Sequence, residues 1–91
     1  MHYRVFAAEV ARTLTDHGHT NSQTGPAWSA GHRVQQASPT TARIWHDGPD
    51  ELAHLAQYAT ALGDAGYTVT AERASARKRP SLRATQQTKG N

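Results

Sequence analysis

The sequence predicts a two-layer α+β domain with the element order helix-strand-strand-helix-strand, followed by a flexible basic tail. Three observations carry this reading. Apolar residues recur at helical spacing over 3–15 and 49–64. Stretches 31–37, 41–46 and 67–72 alternate with a period of two instead. After Glu72 both periodicities stop, and the composition turns to Ala, Ser, Thr, Gln and basic residues. The compact domain is therefore expected over 1–72 and the tail over 73–91.

In the first helix Tyr3, Phe6, Ala7, Val10 and Leu14 form one apolar stripe, and His17-Gly18 suits its end. The stretch "HTNSQTGPAWSA" follows as a loop, broken by Gly25-Pro26. Trp28 within it serves either as a lid packed on the core or as an exposed binding anchor. A β-hairpin around "SPTT" then pairs Val34 with Ile44 and sets His32 opposite His46. Alternation sends Arg33, Gln35, Arg43 and Trp45 to the other face.

The second helix starts at "HDGPDEL", where Pro49 suits the first turn and Asp50 and Glu51 the positive end of the dipole. Leu52, Leu55, Ala59 and Leu62 form its expected buried stripe, with Ala56 and Tyr58 beside it, and Gly66 caps it. "YTVTAE" is the third strand. A right-handed crossover would return it beside the first strand, in the order 2-1-3, with both helices on one face. An exposed edge on that strand could pair two copies into a homodimer.

The chain has 91 residues, enough for one small core. Mean hydropathy is -0.75, so apolar material is scarce. The absence of cysteine excludes disulfides, thiol catalysis and cysteine-ligated metals, and fits a reducing, cytoplasmic compartment. No stretch approaches the ~20 apolar residues of a membrane span, and "MHYRVFAAEV" lacks the apolar core of a signal peptide. A membrane partner is therefore not expected.

The net charge of +3 conceals an asymmetry. Residues 1–72 hold four arginines against seven acids, a net of -3. Residues 73–91 add Arg73, Arg77, Lys78, Arg79, Arg83 and Lys89 with no acid, a net of +6. These six cations are candidate phosphate contacts, whose signature would be salt-sensitive, sequence-indifferent binding. Arg33, Arg43 and Trp45 could extend that surface by stacking bases. They could instead anchor a protein partner together with Trp28, or stack on one another by cation–π packing within the fold. "RKRPS" also resembles a basophilic kinase site at Ser81.

Enzymatic signatures are missing: there is no Gly-rich phosphate loop and no nucleophile elbow. No catalytic residue and no cofactor is assigned. Asp16, His17 and His19 in "TDHGHT", and the His32/His46 pair, have ligating side chains but too few in either place for a metal site. No metal ligand is assigned either.

"GHRVQQASPTTARIWHDG" and "LAHLAQYATALGDAGYTVT" together resemble short uncharacterised actinobacterial proteins, some encoded by phages and integrated mobile elements. The likeness covers roughly residues 31–72 and rests on the hairpin, the "LAQYATAL" helix and the "AGYTV" return. None of these is a catalytic motif, so the resemblance implies a fold unit. The expected function is that of a small accessory protein that contacts nucleic acid through its tail. The alternative is a protein–protein adaptor or inhibitor that uses the open sheet face.

Overall fold

A computed structural model describes residues 4–22 and 30–86. Its elements run α1 (Ala7–Asp16), β1 (Gly31–Ser38), β2 (Thr41–Asp47), α2 (Glu51–Asp64), β3 (Tyr67–Glu72) and β4 (Ser81–Gln86). The fold is α+β: two helices and a four-stranded antiparallel sheet in the order β1-β2-β4-β3. Tyr3, Trp28 and Lys89 lie outside the described residues.

The hairpin forms in the expected register, with Val34 paired to Ile44 and His32 to His46. The third strand also has its expected bounds, but its neighbour is different. β3 does not lie beside β1; it pairs with β4, which separates it from β2. The expected three-stranded order 2-1-3 is thus replaced by four strands, with the fourth drawn from the basic segment. Leu82 and Ala84 point to the core and are 3% and 0% exposed, while Arg83 between them is exposed. Such a short alternation gains strand character from burial between two neighbours rather than from intrinsic propensity. Residues 81–86 are therefore structured, contrary to the flexible tail expected from residue 73 onward.

One core joins the layers. Val10 and Leu14 of α1, and Leu55, Tyr58, Ala61 and Leu62 of α2, pack with Val34, Ala42, Ile44, Leu82 and Ala84 of the sheet. Both helices thus cover the same face. Two residues of the expected stripes fall elsewhere. Phe6 is the N-cap residue of α1 and is half exposed, while its neighbour Val5 is buried. Leu52 is 71% exposed because it sits in the first turn of α2, and Tyr58 takes the central buried place instead.

The end of α2 follows the sequence. Ala65 is its C-cap, and Gly66 follows at φ 101, the left-handed conformation that glycine adopts freely. Gly31 answers a different demand. The backbone passes so close that a Cβ there would lie 2.1 Å from the carbonyl oxygen of Thr20. This close approach lets Asn21 bridge to His32, with the His32 N–H donating to Thr20 at 2.8 Å and the Ser22 N–H to His32 at 3.0 Å.

Because β4 bonds to strands on both sides, its loss should be global. Deleting residues 73–91 is expected to abolish cooperative unfolding, where removal of a solvated tail would leave it intact. Leu82→Ala should cost about 2–5 kcal/mol in denaturant titrations, the usual range for a buried leucine.

Candidate functional site

The uncovered sheet face carries the outward residues of all four strands. Register places Arg33 opposite Trp45, Arg43 opposite Arg83, and Arg83 opposite Thr70. The guanidinium of Arg33 lies 4.7 Å from the centre of the Trp45 ring and that of Arg43 lies 6.0 Å away. The three side chains expected to share a face therefore do so, as a cation–π stack.

Carboxylates fix both arginines. Arg33 Nε donates to Asp47 at 3.1 Å, and Arg43 Nη2 reaches Glu72 at 2.8 Å, a bridge that spans β4. Unbridged, Arg43 and Arg83 would be like charges on directly opposed residues, which is destabilising. Glu72 offsets that repulsion.

Residues 73–80 connect β3 to β4 and wall one side of this face. Arg79 anchors the connection. Its Nη1 donates to Asp47 at 3.2 Å, its Nη2 to Glu51 at 2.8 Å and to the carbonyl of His46. Ser22 Oγ also donates to Asp47, at 2.8 Å. Burial alone would raise the pKa of Asp47, but the hydrogen bonds from Ser22, Arg33 and Arg79 outweigh it and hold the carboxyl below its usual value. The Arg79 guanidinium is in turn held above its usual pKa, chiefly by Glu51.

Between this connection and the sheet lies a hollow of about 720 Å³. Arg33, Arg43, Arg73, Arg77, Lys78 and Arg79 line it, against the single acid Glu72. Arg73, Arg77 and Lys78 are exposed and have no ion pair among those found in the described residues. Five of the six cations expected to act together, all but Lys89, thus lie in this connection or in β4. Arg79 is spent on structure and differs from the others. Ser81 is 5% exposed and held in β4, which closes the kinase-site reading at that serine.

Four histidines, His19, His32, His46 and His54, gather on the opposite, core side. His46 stacks on His54 with centroids 4.0 Å apart and an interplanar angle of 4°. His19 and His32 meet the ring of Tyr58 edge-on. Burial pushes the Tyr58 hydroxyl up to about 12, and this hydroxyl shares a hydrogen bond of 2.7 Å with His46 Nδ1. His17, by contrast, turns Nδ1 to the carbonyl of Thr13 at 2.8 Å, closing the end of α1. Among the described residues no group of three or more His, Cys, Asp or Glu side chains is placed to hold a metal ion. Nor is any described helix long and apolar enough to cross a membrane.

Burial of this cluster is expected to make the fold acid-sensitive. Burial first, and then the charge of His19, lowers His32 from 6.5 to about 4, and burial followed by His54 lowers His46. A histidine with a depressed folded-state pKa holds fewer protons folded than unfolded. Its stabilisation is complete above the unfolded value near 6.5 and is lost as pH falls toward the folded one. Asp47 adds a loss in the same direction at still lower pH. Urea midpoints should therefore fall between about pH 7 and about pH 4.5, with no change in slope m. A flat midpoint across this interval would contradict the assignment. Comparison of the chain with known protein families, with curated proteins and with solved structures finds no match.

Proposed function

We propose that this protein is a small non-enzymatic accessory protein that binds nucleic acid in the basic hollow between residues 73–80 and the open sheet face. One observation carries the reading: six cationic side chains line a single concave surface, and three of them, Arg73, Arg77 and Lys78, have no ion pair among those found in the described residues. A solvated tail would spread such charge; an anchored connection concentrates it where a polyanion can meet several cations together. Arg79 builds the site by fixing the connection, and Arg73, Arg77, Lys78 and Arg83 supply the phosphate contacts. Lys89 adds a further cation beyond the described residues.

A cytoplasmic site of action and an origin among phage or mobile-element accessory proteins belong to the same proposal. So does self-pairing through β3, which ends the sheet and has no strand on its outer side among the described residues.

The adaptor reading, expected on the open sheet face, has one observation in its favour at a different place. Leu52 is 71% exposed beside an apolar groove of about 210 Å³ that includes Ala56, Ala59 and Leu82. A protein partner seated there would meet Glu72, Arg73 and Ser81, which the groove shares with the basic hollow, but not Arg77 or Lys78, so its binding would be insensitive to charge reversal at those two residues.

Anisotropy of labelled oligonucleotides across a salt series separates these readings. The affinity should fall linearly on a log–log plot. The Arg77→Ala/Lys78→Ala double variant should reduce the slope by roughly 0.7–0.9 for each phosphate that is no longer neutralised. Absence of binding at low salt would overturn the proposal.

A further inference from the structure

Resting on that reading, we infer that the ligand is single-stranded, with a base stacked on the Trp45 floor and its phosphates carried along the 73–78 wall. The hollow has two chemically different surfaces. Its floor is the Arg33–Trp45–Arg43 stack, in which each guanidinium is already paired with a carboxylate. Its wall is Arg73, Arg77 and Lys78, whose charges are exposed and lack an ion pair in the described residues.

These surfaces suit different parts of a nucleotide. A guanidinium neutralised by its own carboxylate releases few counterions when a phosphate approaches, so the floor contributes little to electrostatic affinity. Its half-buried indole and the two guanidinium planes line the hollow, and bases stack on flat surfaces of this kind. Asp47 and Glu72 also hold these surfaces in place before any ligand arrives, which lowers the ordering cost of binding. The wall has the opposite character: exposed point charges and little flat surface.

A duplex could use only the wall. Its base faces are stacked inside the helix, and it would present phosphates and groove edges to the indole. An unpaired strand can turn a base onto the floor while its backbone follows the wall. The placement of the two surfaces favours this: Trp45 and the 73–78 segment line one hollow. A volume near 720 Å³ lies within the range of small-ligand pockets and gives room for a short piece of single strand.

The test uses full-length protein and four probes of about 12 nucleotides, a length within the site sizes of compact single-strand binders. They are oligothymidylate, oligouridylate, a mixed-sequence duplex, and an abasic strand carrying the same number of phosphates. The base-bearing strands should bind about tenfold or more tighter than the abasic strand, as one stacked base allows. Comparison of the first two probes assigns DNA or RNA. Trp45→Leu should bring base-bearing and abasic strands to equal affinity without changing the salt slope, and Lys78→Ala should change the slope for both.

Circular dichroism checks that Trp45→Leu folds. Trp28→Phe provides a second route, because Trp45 is then the only tryptophan and base stacking should quench its fluorescence. Equal binding of abasic and base-bearing strands, or tighter binding of duplex, would overturn this inference and leave the nucleic-acid reading standing. Failure of every probe to bind at low salt would overturn both.

Discussion

The antiparallel pairing of β4 with strands on both its sides is the constraint on which the rest of this molecule depends. It completes the sheet, contributes Leu82 and Ala84 to the core, and fixes where the preceding residues must travel. A chain that leaves β3 and re-enters as its antiparallel neighbour β4 has to turn back at one end of the sheet, with Glu72 opposite Ser81. Residues 73–80 do so, and their cations arrive beside Trp45 as a consequence of topology. The basic hollow is thus a product of strand order, and charge alone would not have made it.

Asp47 converts that route into a fixed geometry. It accepts from Ser22, Arg33 and Arg79, which belong to the segment crossing β1, to β1 itself and to the β3–β4 connection. Three distant parts of the chain meet at one half-buried carboxylate whose charge they keep. Isolated surface ion pairs contribute little, because two long side chains must be ordered for a screened attraction. Here the same carboxylate satisfies several donors, so the ordering is shared among them. The arrangement also sorts the arginines of the open face into those held for shape and those left with free charge.

Much of this was legible in the sequence because it is local. The hairpin register followed from the parity of Val34 and Ile44 around a tight turn, and the third strand from "YTVTAE". The grouping of Arg33, Arg43 and Trp45 needed only the alternation of a strand. What escaped was set by distant partners. β4 shows one large apolar residue among basic and polar ones, a pattern that reads as solvated until β2 and β3 stand on either side of it. Leu52 fits the helical stripe by spacing, yet it is 71% exposed at the edge of a groove that nothing in the described residues fills. The contacts among His46, His54 and Tyr58 join β2 to α2. A sequence names such residues without saying that they meet; the six histidines were a signal of composition, and only packing assigns four of them, His19, His32, His46 and His54, to one cluster around Tyr58.

The position of β4 also bears on how the chain reaches this state. The hairpin and α2 can form from contacts close in sequence, but β2 cannot acquire its second neighbour until Ser81–Gln86 has been synthesised, some forty residues after β2 begins. Closing that long loop carries an entropic cost before the central pairing returns anything. During that interval β2 has an unpaired edge and the core lacks Leu82 and Ala84. A nascent or slowly folding chain would thus carry an open strand edge flanked by Arg43 and Asp47. Charge at an edge discourages pairing between chains. The same residues that shape the finished binding face can therefore guard the unfinished sheet.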